Sequence, residues 1–244
     1  MQKKLKIKKP GRISSAPQQG PDLSLKGYFK QLIHPHPEGV KFILAAACVA
    51  VILAWLTIPF FGFLGLLLTI GVALFFRDPE RCTPKDENAV IAPADGIVCF
   101  VDKVPPPPEL DMGDAVMNRV CIFMSVFNVH VNRSPIAGTI AKTEYCPGKF
   151  LNASLDKASL DNERQLYLIK EQKTGAKIAV VQIAGLVARR IVSFVQDGAT
   201  LEKGERFGLI RFGSRVDVYM PIEASVNVQV GQTMIAGETI IGKL

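Results

Sequence analysis

Gly213-Ser214 stands between two β-like runs, Phe207–Arg211 and Val216–Met220, within ERFGLIRFGSRVDVYMP at 205–221. Alone, such a pair is a tight turn in which glycine supplies a positive φ. The chemistry it makes available is that of a hydroxyl beside a sterically open glycyl carbonyl. His130, in FNVHVN, is the only histidine after the long apolar block. A lone histidine in a strand-like run is ordinarily a structural hydrogen-bonder, but an imidazole near its usual pKa also suits proton transfer. Asp95 lies in PADG, where Asp-Gly ordinarily marks a turn. Lys149, Asn152, Asn162 and Arg164 share an Asn/Ser-rich stretch. They read either as surface polarity or as holders of a phosphate or carboxylate through charge-assisted bonds. Arg189 and Arg190 follow a Gly-containing strand and read either as a solvated edge or as a basic face for anionic lipid.

Other chemistries find no residues to carry them. The five cysteines (48, 82, 99, 121, 146) include no CxxC pair, and with three histidines they form no cluster of the zinc-binding kind. Their odd number points to reduced thiols in a cytosol-facing domain. No Walker motif and no GxGxxG after a strand is present, and no aromatic-plus-arginine platform for nucleic acid.

The elements that must hold these residues fall into two textures. From Arg77 onward, short Val/Ile/Phe runs alternate with Gly, Pro, Asp and Asn: 89–93, 97–102, 119–132, 137–145, 177–185, 188–195, 206–211, 215–220, 225–230 and 239–243. This predicts a mainly β domain, a sandwich or open barrel with some α+β detail, over 78–244. Pro105–Pro108 is a loop. Residues 147–165 are an irregular segment with weak helical character, of the length that often forms a lid. Before Arg77, residues 42–76 carry no charge, a run of about 35 where one membrane crossing needs roughly 20. Pro59, Gly62 and Gly65 interrupt it. The expectation is a helical hairpin over 41–77 turning near Pro59, with one long tilted helix as the alternative. Residues 21–40 read as an interfacial amphipathic helix and 1–20 as a disordered tail. Lys3, Lys4, Lys6, Lys8 and Lys9 crowd that tail and supply much of the net charge of +7, which suits an anionic membrane surface. Positive-inside logic keeps the tail cytoplasmic, and two crossings return the domain that follows to the cytoplasmic side of the cell membrane.

Five blocks taken together are specific: PADGIV at 93–98, FMSVFNVHVNRSP at 123–135, PGKFLNASLDKASLDNERQ at 147–165, VQIAGLVARRIV at 181–192 and KGERFGLIRFGSRVDVYMP at 203–221. In this order and spacing the chain resembles the phosphatidylserine decarboxylases, over roughly residues 34–244. It looks most like their short bacterial and archaeal-type branch, where Phe-Gly-Ser-Arg replaces the Leu-Gly-Ser-Thr of longer members. The resemblance implies that Ser214 Oγ attacks the Gly213 carbonyl, giving an ester by N→O acyl shift, and that β-elimination then cuts the chain into 1–213 and 214–244. The residue left at 214 becomes a pyruvoyl group, a covalent prosthetic group that forms a Schiff base with the amine of phosphatidylserine and acts as electron sink while carbon dioxide leaves. No metal or diffusible cofactor is implied.

The resemblance also assigns roles. His130 matches a family histidine that acts on the substrate. Asp95 matches the aspartate of the Asp-His-Ser triad proposed for self-cleavage. The triad histidine position is Arg133 here, so either His130 serves both steps or Asp95 and backbone strain suffice. Arg215 reads either as a contact for the substrate phosphate or carboxylate or as a solvated strand residue. The implied partners are phosphatidylserine, the membrane and the chain's own small fragment, with a homodimer as a further expectation. Two rivals are a lipoyl-type carrier acylated at Lys157, in Asp156-Lys157-Ala158, and a membrane-tethered scaffold without activity. Both predict an uncut chain.

Overall fold

Residues 34–56, 59–153, 161–186, 190–211 and 214–244 are described in a computed structural model. The predicted interfacial helix lies outside them as far as residue 33, as do Lys157, Arg189 and Gly213. Helix α1 spans Pro37–Leu56 and α2 spans Pro59–Phe75. Proline is favoured in the first turn, where its missing N–H has no partner to lose, and Glu38 complements the positive end of the α1 dipole. α1 therefore starts four residues before the boundary drawn from the charge-free run. Among the described residues it is the one helix long and apolar enough to cross a membrane; α2 is shorter at 17 residues. The helices run antiparallel and touch through small residues. A Cβ on Gly62 or Gly65 would lie 2.6 Å from Ala54 Cβ or 2.8 Å from the Ala50 backbone. Close glycine–alanine contact is how apolar helices associate where no hydrophobic force separates helix from surroundings. Their outward positions, among them Leu44, Ile52, Trp55, Phe60 and Leu67, are exposed apolar side chains.

The domain is mainly β, as its texture predicts. In chain order the strands are β1 (Ala89–Ile91), β2 (Gly96–Val104), β3 (Met117–Met124), β4 (Val131–Arg133), β5 (Gly138–Cys146), β6 (Arg164–Glu171) and β7 (Lys177–Ala184). Then follow β8 (Arg190–Ser193), β9 (Thr200–Leu201), β10 (Arg206–Arg211), β11 (Ser214–Met220), β12 (Ser225–Val226), β13 (Thr233–Met234) and β14 (Ile240–Lys243). Eight of them form one sheet in the order β13-β2-β3-β11-β7-β6-β5-β9, and two three-stranded sheets, β4-β10-β8 and β1-β14-β12, pack with it. The long sheet curls as a half-barrel, with register shifts in β2 and β5.

Alternation along β11 shows how the sheet is held. Val216, Val218 and Met220 point into the larger core with Val120, Ile122, Val180 and Tyr167, and Tyr219 points into a second core with Leu166, Leu168, Val181 and Leu110. With both faces covered, central strands become almost continuously apolar, as in KIAVVQIA of β7, and each fully buried Val or Ile contributes about 1.5–3 kcal/mol.

A third cluster, Phe75, Phe76, Val129, Val131 and Leu209, joins the helix pair to the sheets. Around it Glu38 pairs with Arg211 at 2.6 Å, His36 stacks on Phe194, and the Pro35–Arg77 bridge ties together the residues flanking the two helices.

Two sequence expectations need correction. The run 119–132 is broken: β3 ends at Met124, and a turn at Ser125–Asn128 precedes β4. Asn128 Oδ1 closes that turn by accepting from both the N–H (2.9 Å) and the hydroxyl (2.8 Å) of Ser125. The irregular segment gives way at Arg164 to β6, a strand absent from the expected set. Pro105–Pro107 are irregular as expected, and Pro108 opens a 3-10 turn that runs to Leu110.

Candidate active site

Ser214 opens β11 at one end of the long sheet, paired with Met124 of β3 on one side and Ala184 of β7 on the other. It is fully buried, and its hydroxyl is directed at the Met124 sulfur 3.6 Å away. A thioether is a weak acceptor, so the hydroxyl proton is only weakly held there. Over this end of β3 and β7 lies a cavity of about 310 Å³ lined by Phe123, Met124, Val126, Asn152, Ala153 and Leu186 among others. The strand pairing explains the location. Ser125 and Gly185 continue β3 and β7 past the two residues that flank Ser214, and the 152–153 turn closes the third side.

The turn is fixed there by Asn162. Its side-chain amide accepts from Leu151 N–H at 3.0 Å and donates to the carbonyls of Leu151 (2.8 Å) and Ala184 (2.7 Å). Of the expected ligand-binding set, Asn162 is thus a buried clamp, and Asn152 lines the cavity. Lys149 is an exposed cation on the same turn.

Two arginines are taken up by carboxylates. Arg164 pairs with Glu109 at 2.9 Å. Arg215 is wholly buried, which excludes the solvated-strand alternative. It grips Asp217 through two bonds of 2.7 and 2.8 Å, donates to Ala153 O at 3.2 Å and lies over Phe100. Its side chain lies on the opposite face of β11 from Ser214, because neighbours in a strand alternate.

His130 is also fully buried, tilted against Phe75 with ring centroids 4.1 Å apart. Burial, aided by the nearby Arg77 cation and opposed by the Asn128 bond, pushes its pKa down to about 4. The ring is therefore neutral at physiological pH, not poised near its ordinary value as its sequence context suggested. Asn128 O lies 2.9 Å from Nδ1. A carbonyl accepts only, which assigns the proton to Nδ1 and the basic lone pair to Nε2.

Asp95 and His130 take different partners. The Asp95 carboxylate accepts from Arg81 Nη2 at 3.1 and 2.9 Å and from the Ala236 N–H at 2.8 Å. Next to it, the backbone at Gly96 has φ +153°, and a Cβ there would lie 2.1 Å from Phe123 O. The strand start carrying Asp95 thus lies tight against β3 at the Ser214 end of the sheet. Arg133, which the resemblance matched to a triad histidine, is a buried clamp on Asp78 (3.3 Å), Pro79 O (2.8 Å) and Gly204 O (3.0 Å).

Sequence reasoning missed a buried polar chain that ends at the same sulfur as Ser214. Tyr167 Oη donates to Gln182 Oε1 (2.8 Å), Gln182 Nε2 donates to Asn132 Oδ1 (2.7 Å), and Asn132 Nδ2 is 3.7 Å from Met124 Sδ. The available signal was Gln182 itself, the sole polar residue inside the otherwise apolar core of β7.

The fold and this site define a β-sheet domain whose candidate reactive group is a residue of its own central strand. The family model described as phosphatidylserine decarboxylase matches residues 68–242. A phosphatidylserine decarboxylase proenzyme of Ruegeria pomeroyi is 58% identical over 211 residues, covering 86% of this chain and 94% of the relative. One of Nitrobacter winogradskyi is 56% identical over 206 residues, covering 84% and 83%. The chain belongs to the phosphatidylserine decarboxylase family.

Proposed function

We propose that the chain is a membrane-anchored phosphatidylserine decarboxylase that activates itself by cutting before Ser214. The observation that carries this reading is the buried Ser214, heading a strand pinned on both sides beneath an apolar cavity, in a chain of this family. Ser214 Oγ adds to the Gly213 carbonyl carbon, and the C–N bond breaks to leave an ester and a free Ser214 amine. Loss of the Cα proton with cleavage of Cβ–Oγ releases the Gly213 carboxylate. Hydrolysis of the remaining dehydroalanine gives ammonia and an N-terminal pyruvoyl group.

The surroundings fit that group. It differs from serine by loss of Oγ and by a ketone oxygen in place of the backbone nitrogen, so it needs no more room than Ser214 has. When formed, it supplies a carbonyl that binds the substrate amine covalently and withdraws electrons as carbon dioxide leaves.

The chain's own residues do the rest. Neutral His130 accepts and returns a proton through Nε2. Asn152 hydrogen-bonds the head group, and Lys149 draws anionic lipid toward the cavity. Arg215 and Arg164 act as positioning residues, Arg215 by holding Ala153 at the cavity wall. Asp95, locked by Arg81, sets the start of β2 against β3. α1 and α2 enter the bilayer as a hairpin, leaving the domain on the cytoplasmic face.

Denaturing gels and intact mass test the central claim. The expected result is two chains, 1–213 and 214–244, with borohydride in the presence of phosphatidylserine adding substrate mass to the smaller. One intact chain of 26.6 kDa refutes it.

A further inference from the structure

The Ser125–Asn128 turn ends in an apolar tip. Phe127 is 82% exposed and Val126 46%, and Leu186, across the cavity mouth, is 68% exposed. Phe150 and Leu151, on the third side, are also exposed. A single exposed apolar residue needs no explanation, but a contiguous apolar rim around a cavity marks an interaction surface.

Its place in the fold selects the partner. Arg77, two residues past the end of α2, donates to Leu74 O at 2.7 Å and to Phe127 O at 2.8 Å. His130, two residues after the turn, packs on Phe75. The turn thus sits at the level where the apolar helices leave the sheet, and it is fastened to that exit. Helices whose outward faces are exposed and apolar put their ends at a membrane interface, where arginine reaches the head groups while rings enter the acyl boundary.

We propose that the Ser125–Asn128 turn, with Phe127 at its tip, inserts into the bilayer interface, and that the cavity behind it receives its ligand laterally from the membrane. A glycerophospholipid then keeps its tails in the monolayer while its head group enters between Asn152 and Met124. This rests on the decarboxylase reading for the identity of the ligand but not for the insertion itself.

The test places a fluorophore at the tip. Trp55 is the chain's single tryptophan, so the full chain carrying Trp55→Phe and Phe127→Trp reports from position 127 alone. It is reconstituted in phosphatidylcholine–phosphatidylserine vesicles. The expected result is strong quenching by lipids brominated on their acyl chains and weak quenching by aqueous acrylamide. The reverse pattern overturns the insertion. Lipid-independent crosslinking through Phe127→Cys, in a chain whose five native cysteines are replaced, also overturns it, by assigning the rim to a second copy of the chain. A second arm uses Phe127→Asp. Turnover of phosphatidylserine in vesicles falls about tenfold, as expected for losing one interfacial aromatic contact, while a short-chain, water-dispersed phosphatidylserine is affected less than about twofold. Equal losses on both substrates overturn lateral entry. An uncut, inactive chain that still shows the quenching pattern would sink the decarboxylase reading and leave the insertion standing.

Discussion

His130→Gln removes a group that the fold holds neutral against its own tendency to charge. In the unfolded chain the imidazole titrates near 6.5; in the fold, burial lowers this to about 4. Above pH 6.5 neither state binds the proton, and the histidine adds no pH dependence. As pH falls from 6.5 to 4 the unfolded chain takes up a proton that the folded chain refuses, so stability falls with pH across that window. Below 4 both states are protonated and the penalty is complete. The gap of about 2.5 pH units corresponds to roughly 3 kcal/mol at 1.36 kcal/mol per unit. With a urea m-value of about 1–3 kcal/mol/M, the midpoint moves by about 1–3 M. The assay is urea unfolding in detergent micelles at half-unit steps from pH 4 to 7.5, for the uncut Ser214→Ala chain with and without His130→Gln. The variant loses ring packing on Phe75 at every pH, a constant offset, and other titrating groups contribute equally to both proteins. The difference between the two curves should therefore narrow as pH falls, by about the amount above. A difference that stays constant from pH 7.5 to 4 would refute both the burial argument and the assignment of a neutral base.

Ser214→Ala should leave a single 26.6 kDa chain of near-native stability, seen on a denaturing gel, because only a hydroxyl bonded weakly to Met124 is lost. Asp217→Asn uncouples the buried Arg215 and should cost about 3–5 kcal/mol, lowering the calorimetric midpoint by at least several degrees. Replacing Arg215 and Asp217 together by Met and Leu should recover most of that loss. Gln182→Leu strands Tyr167 Oη and Asn132 Oδ1 and should cost about 1–3 kcal/mol for each buried group left without its partner, read from urea midpoints. In a variant keeping Cys82 as its one cysteine, a membrane-impermeant maleimide should label inverted but not right-side-out vesicles; the opposite pattern would remove the hairpin.

Local pattern revealed the elements whose two faces differ, and it failed where both faces are buried or a turn interrupts an apolar run. β6 was hidden because Leu166–Ile169 is a four-residue apolar block bounded by Gln165 and Lys170, with alternate side chains entering different cores. The break in 119–132 depends on Asn128 folding back on Ser125, which apolar periodicity does not register. The order of five blocks singled out Ser214 and His130 as candidates. The partners of Asp95 and Arg133 were not legible, because they come from the linker after α2 and from distant turns; Arg215 and Asp217 stand two apart on one face of β11, but local pattern does not show that this face is buried. A run of charged letters does not reveal which of its members is buried. FFRDPER contributes Asp78 to Arg133 and Arg81 to Asp95, and both pairings exist only once the linker lies across β4 and the start of β2.

The strand headed by Ser214 is interior to its sheet, and beyond it β13 pairs with β2 and β14 with β1. Scission ahead of residue 214 would therefore sever the chain without opening a seam, and the C-terminal piece could leave only by peeling a strand from between two neighbours. Two separated pieces would have to find each other again by diffusion, with a stoichiometry and dilution dependence that the precursor never had. Once matured, such a molecule persists because it comes apart slowly, not because it can readily rebuild itself.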